Sequence, residues 1–212
     1  MIVIALGTKT LVHTSTGPPP PKPYDVAMYD VYSALIPNIE KPWLFRLIDR
    51  GVDFTPEEVM IGVETLTFQC CSVFDGAAEP ASMGKLVPGE RLKQAVDSAV
   101  ADYSKRNAST LELQRKFNLP HYYLFTKAEQ QSTSNATACL AFQQKHPGYE
   151  RWIELSAVGF NQDQTVAVVY FVETRAAKDF CFLGTSKSGE GRMLQNRSGK
   201  WRLGPVFFTQ IE

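Results

Sequence analysis

The sequence predicts an α+β domain, with helices packed on one face of a curved antiparallel sheet that ends in a C-terminal β-meander. Three observations predict it. An amphipathic helical stripe runs from Glu90 to Arg106. Alternating and doubly apolar runs crowd the C-terminal third, from Ile153 onward. The helical patterns come first and the strand patterns last, which favours segregated layers over repeated β-α-β units.

The folded region begins near Tyr24. Asp25 stands at a capping position, and Val26, Tyr29, Tyr32, Ser33 and Ile36 recur at three- and four-residue spacing, so a helix is expected. Pro37 ends or bends it. "WLFRLI", Trp43 to Ile48, fits either a strand or a continued helix. "MIGVETLTFQCCSVF", residues 60–74, is rich in Val, Thr, Phe and Cys and reads as strand. The Gly- and Pro-bearing stretch 75–89 reads as loop.

From Glu90 to Arg106, Leu92, Ala95, Val96, Ala99, Val100 and Tyr103 form one apolar stripe, with Arg91, Lys93, Asp97 and Asp102 largely elsewhere. The aromatic run Tyr122 to Phe125 reads as a strand. "ATACLAFQQKHPG" reads as a short helix closed by His146-Pro147-Gly148.

In the meander, Ile153, Leu155 and Ala157 alternate with Glu154, Ser156 and Val158. Asn161 to Gln164 supplies a solvent-facing hairpin turn. Thr165 to Val172 is apolar on both faces, so it should be a central strand covered on both sides. "DFCFLG" and "GRMLQ" read as one long bulged strand or two short ones. Ser198-Gly199 is a turn, and a last strand starts at Lys200.

The chain has 212 residues, enough for a single domain, 24–212, behind an N-terminal arm, 1–23. Met1 to Leu6 is apolar but far shorter than the roughly 20 residues that span a bilayer, and it lacks a basic n-region. It reads as the remnant of an anchor, a strand or a frayed tail. Gly17 to Pro23 carries consecutive prolines, which favour an extended, semi-rigid spacer or a ligand for a proline-binding module.

The charges balance, 22 basic against 22 acidic. A phosphate-tracking protein usually shows a basic excess or stripe, so no nucleic-acid partner is expected. Nor is there an electrostatic case for anionic lipid. Lys105-Arg106, Arg115-Lys116 and Lys200-Trp201-Arg202 read as solvated surface charge.

The four cysteines, Cys70, Cys71, Cys139 and Cys181, show neither Cys-x-x-Cys nor zinc-finger spacing. Two disulfides in an exported protein and four small buried thiols remain equal readings. The Asn-x-Ser/Thr triplets at Asn107, Asn135 and Asn196 matter only in a eukaryotic secretory pathway.

Motifs that carry chemistry are weak. In "GTSKSGEGR", Gly184 and Gly189 have phosphate-loop spacing, but Glu190 replaces the lysine and Gly191 the hydroxyl residue, so a loop or bulge is expected. No Gly-x-Ser-x-Gly occurs. His121 or His146 meeting Cys139 or Cys181 is easy to invent from so many candidates, and a structural role is favoured. His13 lies in the tail. No metal-ligating spacing is found, and no metal or cofactor is expected. Glu154, Glu173, Asp163 and Asp179 lie in or near the meander. Glu154 and Glu173 could sit on adjacent strands as an acid–base pair, although exposed sheet-face charge is the simpler reading. Trp43, Trp152 and Trp201 either line a ligand pocket or pack between sheet and helices.

"LSAVGFNQDQTVAVVYF", followed by "FLG" and then "GRMLQNRSGKW", resembles the C-terminal part of a group of uncharacterised bacterial proteins, many of which look exported. Their pattern runs Leu-Ser-x-Val-Gly-Phe-Asn, a short turn, an Ala-rich apolar strand, a Cys/Gly loop and Gly-x-Trp. "YDVYSALI", "NASTLELQRKFNL" and "FQQKHPGY" are similar to earlier parts of that domain, so the resemblance covers most of residues 24–203. The group tends to carry two close cysteines in the loop, where this chain has only Cys181, which puts a loop disulfide in doubt. The resemblance implies fold and compartment and no activity. By analogy of fold, the cupped sheet is similar to cystatin-like and nuclear-transport-factor-like domains.

The expectation is therefore a non-enzymatic domain of the cell envelope or secreted space that binds a protein or small ligand. The alternatives are an enzyme using Asp or Glu acid–base chemistry in a cup-shaped pocket, and a structural protein whose sheet pairs with a second copy as a homodimer. A cytoplasmic location with four free thiols would weigh against the first. Sequence alone assigns neither catalytic nor ligand-binding residues.

Overall fold

The structure, a computed structural model, describes residues 21–39, 59–62, 64–65, 89–132, 141, 144–145, 151–175 and 186–211. The four cysteines, Trp43, Asp179, His13, His146 and the proline run up to Pro20 lie outside the described residues, as does most of the expected 136–148 helix.

Helix α1 spans Tyr24–Leu35 and passes into a 3-10 turn, Ile36–Asn38, with Pro37 where its missing N–H costs nothing. Asp25 lies in the first turn; the capping position belongs to Pro23. Strand β1 is Val59–Ile61. Helix α2 is Glu90–Arg106, at the bounds its apolar stripe predicts. Strand β2 is Tyr122–Leu124, and a short helix α3, Lys127–Ser132, follows. The remaining strands are β3, Arg151–Leu155; β4, Gly159–Phe160; β5, Val166–Arg175; β6, Ser186–Arg197; and β7, Lys200–Ile211.

These strands form one sheet in the order β2-β1-β3-β5-β6-β7, with β4 continuing the line of β3 along β5. From β3 to β7 every pairing is antiparallel, while β1 runs parallel to both β2 and β3. Strand β5 is central, as its composition requires, and "GRMLQ" lies within β6, which has irregularities at Arg192, while "DFCFLG" lies outside the described residues. The β6–β7 turn places Ser198 at φ 54° and Gly199 at φ 81°, the two left-handed residues of a hairpin turn whose twist matches its strands.

The helical cover is divided between the two faces of the sheet rather than confined to one. Ala167, Val169 and Phe171 pack with Met28, Val31, Tyr32 and Leu35 of α1, and with Leu113 and Phe117. Val166, Val168 and Tyr170 pack instead with Val96, Ala99 and Tyr103 of α2. A strand apolar on both faces has to be covered on both, and one helix cannot do this. The segment after α2 crosses back to α1: Gln114 N donates to the Tyr29 hydroxyl at 2.5 Å and Asn118 N to Ser33 Oγ at 2.8 Å.

Between β3 and β4 the ladder slips by one residue. Leu155 opposes Phe171 and Gly159 opposes Val168, so Ser156, Ala157 and Val158 face only Val169 and Tyr170. This is a β-bulge, and it leaves backbone groups to be satisfied from outside the ladder. Ser156 Oγ stands in for a carbonyl by accepting from Tyr170 N at 2.9 Å. Tyr32 Oη donates to Ser156 O at 2.7 Å, and Tyr24 Oη to Val158 O at 3.0 Å. Asn107, which ends α2, takes both groups of Ala157: its Oδ1 accepts from Ala157 N at 2.8 Å and its Nδ2 donates to Ala157 O at 3.1 Å. Asp102 Oδ2 accepts from Phe160 N at 2.9 Å. The two helices, on opposite faces, thus meet at the bulge.

Asn107 is completely buried. Its glycosylation triplet is therefore closed in the folded domain, and its role is structural. An Asn107→Ala variant strands the N–H of Ala157 and leaves its carbonyl with Ser156 Oγ, at 3.1 Å, as the remaining donor, and an expected loss of about 2 kcal/mol follows from the unpaired buried N–H. Chemical denaturation checks it: a midpoint equal to the parent's would refute the clamp.

The hairpin between β4 and β5 also departs from expectation at one residue. Asn161 is buried, not solvent-facing. Its Oδ1 accepts from Thr165 N at 2.9 Å and Val166 N at 2.8 Å, so the side chain forms the inner wall of the turn. Gln162 and Asp163 are exposed as expected. Gln164, at φ 52°, is bonded to the backbone of Lys22: Lys22 N donates to Oε1 at 2.9 Å, and Nε2 donates to Lys22 O at 2.8 Å.

Candidate functional site

The convergence of α1, α2 and the bulge leaves an open cleft of about 320 Å³ between the start of α1 and the end of α2. Tyr24, Asp102, Lys105, Arg106, Ser109, Thr110, Leu111 and Ala157 line it. Helical spacing sets the first part of this wall, because Asp102, Lys105 and Arg106 share one side of α2's last turn. Leu111 is fixed by its backbone: Leu111 N donates to Thr65 Oγ1 at 2.8 Å, and Thr65 N to Leu111 O at 2.9 Å.

The groups of the cleft divide into two kinds. Asp102, Arg106 and Tyr24 are engaged with the protein. Arg106 Nε donates to Asp102 Oδ2 at 2.6 Å, and the guanidinium carbon lies 3.6 Å from the centre of the Tyr24 ring. Asp102 also holds Phe160 N, and Tyr24 holds Val158 O. Burial pushes the Tyr24 hydroxyl up to about 12 even though Arg106 opposes the rise, so the phenol is a neutral donor at ordinary pH. Lys105, Ser109 and Thr110 are of the other kind. Among the described residues, none of these three side chains forms an ion pair, and the Lys105 ammonium and Thr110 hydroxyl make no hydrogen bond.

Among the described residues, those singled out from sequence do not assemble into a site. Glu154 and Glu173 do lie on neighbouring strands, but Glu154 is opposite Val172 and Glu173 opposite Ile153. Side chains alternate along a strand, so the two carboxylates point to opposite faces and cannot work as a pair. Asp163 is at the hairpin tip, where Asn161 Nδ2 reaches it at 3.5 Å. Residues 186–192 of the phosphate-loop look-alike are strand, with Glu190 paired to Arg192. His121 is exposed. Trp152 packs on Phe125 at 5.0 Å and Trp201 on Phe160 at 5.7 Å, and neither lines the cleft. Among the described residues no group of three or more His, Cys, Asp or Glu is placed to hold a metal ion, and no helix is long and apolar enough to cross a membrane.

A second polar cluster surrounds Glu129 in α3. Its carboxylate accepts from Thr126 N at 3.0 Å, Thr126 Oγ1 at 2.9 Å and Tyr123 Oη at 2.8 Å, and Lys145 Nζ is 3.2 Å away. Glu129 N returns a bond to Thr126 Oγ1 at 3.2 Å. Thr126-Lys127-Ala128-Glu129 is thus a capping box, with the Thr-x-x-Glu spacing such a box requires. Partial burial works against the charge, but the four donors outweigh it and hold the carboxyl down to about 2. The sign follows from that depression. The stabilisation is fully present above the ordinary glutamate range and is lost as pH falls from there toward 2. Expected is a drop in melting temperature between about pH 5 and pH 2 that is shallower in Glu129→Gln; parallel pH profiles would refute it.

The cleft residues that sequence reasoning misses are Tyr24, Asp102, Ser109, Thr110 and Leu111, while Lys105-Arg106 reads in sequence as plain surface charge. No family model matches this chain, and neither a curated protein nor a solved structure matches it. Fold and cleft together define an α+β domain with a small polar-rimmed cleft at a clamped bulge.

Proposed function

We propose that the chain is a non-enzymatic binding domain whose ligand, a small molecule or part of a protein, sits in the cleft at the end of α2. The observation that carries this reading is the division of labour in the cleft. Its one carboxylate accepts from a backbone N–H of β4 and its phenol donates to a backbone carbonyl of the bulge, so using either as a proton carrier would cost the fold a bond. Lys105, Ser109 and Thr110 are the groups left to face a ligand. Backbone-fixed walls with a few convergent polar groups suit recognition.

An exported location accompanies the proposal, supported by the proline spacer and by the resemblance to proteins that look exported. Intact mass with and without thiol alkylation, on protein from its own host, tests the location: oxidised cysteines in an envelope fraction support it, and four alkylatable thiols in the cytosol count against it. The site itself is tested by screening small-molecule fragments against ¹⁵N-labelled protein. Shifts concentrated at residues 105–111 and 157, with ligands recovered unchanged, are expected. Shifts concentrated elsewhere, or chemical conversion of a bound fragment, would overturn the reading.

A further inference from the structure

We infer that the cleft takes a small organic monocarboxylate, its anionic head at Lys105 and Thr110 and its apolar portion against Leu111 and the Tyr24 ring. This rests on the reading of the cleft as the binding site, and it adds the chemistry of the ligand.

Asp102 pairs with Arg106 at 2.6 Å, which leaves Lys105 as the uncompensated cation of the cleft among the described residues. One net positive charge matches one negative charge. The position on the helix limits the charge of the ligand. The cleft lies at the C-terminal end of α2, where the helix dipole presents partial negative charge. That end disfavours any anion, a phosphate dianion more than a monoanion, so Lys105 has to outweigh it, and one unit of charge is the most the site suits. The Tyr24 hydroxyl, neutral at ordinary pH, adds no second negative charge to the wall.

The hydrogen-bonding groups fit a carboxylate. An ammonium and a hydroxyl, both without hydrogen bonds to the protein among the described residues, offer charge-assisted bonds to two oxygens. The apolar wall supplies the other half. Leu111 is 39% exposed, one of two large hydrophobic side chains so exposed among the described residues, and it lines this cleft. Ala157 and the part of the Tyr24 ring that Arg106 leaves uncovered complete the lining. A volume of about 320 Å³ stands at the small end of ligand sites, which suits a short-chain or single-ring acid.

The test titrates the purified full chain with hexanoate, hexanol and inorganic phosphate, following ¹H–¹⁵N shifts. Hexanoate is expected to move the signals of residues 105–111 and to bind about tenfold more tightly than either other probe. Lys105→Gln should cost about tenfold for hexanoate and nothing for hexanol. Because Lys105 is exposed and unpaired, that variant should keep the parent's melting temperature. Leu111→Ser should weaken both. Hexanol binding in the cleft as well as hexanoate would leave the site standing and overturn the carboxylate. Phosphate binding there more tightly than hexanoate would do the same, as would an unchanged hexanoate affinity in Lys105→Gln. Silence of all three probes at residues 105–111 would overturn the carboxylate inference together with the cleft as its site.

Discussion

A Val168→Asp variant is expected to lose its cooperative unfolding transition at room temperature and neutral pH. Val168 is completely buried on β5, in the middle of the sheet. Gly159 lies beside it on β4 and Met193 beside it on β6, while Val96, Ala99 and Tyr103 of α2 close over the top. Removing the isopropyl group forfeits about 2 kcal/mol of apolar burial. The larger effect is the charge. A carboxylate in this position meets no cation in the cluster that surrounds it, and an unpaired buried ion costs several kcal/mol even after relaxation. Domains of this size hold about 5–15 kcal/mol in total, so the two penalties consume most or all of it.

The variant also carries its own internal check. Burial would raise the new carboxyl's pKa above its unfolded value, so the penalty is relieved as pH falls below the raised value. Partial recovery of structure on mild acidification is therefore expected. A melting temperature equal to the parent's, read by far-ultraviolet circular dichroism, would refute the central placement of β5.

The contrast between what sequence reveals and what it hides runs along the same strand. The doubly apolar run from Val166 to Val172 announces a central strand, because no half-exposed strand carries Val, Val and Tyr on one side and Ala, Val and Phe on the other. Helix α2 is legible for a related reason: its apolar stripe repeats over several turns, and a strand, with its period of two, cannot produce that spacing. Ser198-Gly199 is legible because left-handed backbone restricts residue choice.

The bulge is not legible. One inserted residue at 156–158 leaves local alternation looking intact, and only its register against β5 exposes it. The division of the helices between faces is likewise a matter of tertiary placement, which the stripe of a helix does not encode. The parallel pairing of β1 with β2 and β3 joins segments far apart in the chain and leaves no local mark. The residue type of Asn161 points to an exposed turn; its burial follows from the two backbone N–H groups it satisfies. The cleft is invisible for the same reason. Tyr24 and Lys105 are 81 positions apart, and their meeting depends on two helices converging on one irregular stretch of strand.

That convergence predicts the second large effect. Gly159→Ala should destabilise the domain by about 3 kcal/mol, the upper part of the range for overpacking a filled interior. A Cβ at Gly159 would overlap the carbonyl oxygen of Ala99 and lie 2.5 Å from both Cβ and N of Tyr103. Those atoms belong to the α2 backbone and its first side-chain carbon, so no rotamer change makes room. The helix has to move as a body, and it is tied to the bulge through Asn107 and Asp102, so displacement strains the bonds to Ala157 and Phe160 as well.

Two other glycines calibrate the effect. Gly89, at the start of α2, has nothing within 4 Å of an added Cβ, and its alanine variant should change stability little. Gly199 is equally open but sits at φ 81°, so alanine there pays backbone strain alone, about 1 kcal/mol. The expected order of destabilisation is Gly159 well above Gly199, and Gly199 above Gly89. For a chain of this length, about 3 kcal/mol corresponds to a fall in melting temperature of roughly 6–12 °C. If Gly159→Ala instead melts within a degree or two of Gly89→Ala, helix α2 does not press on the strand at this point, and the cleft built on that contact loses its wall.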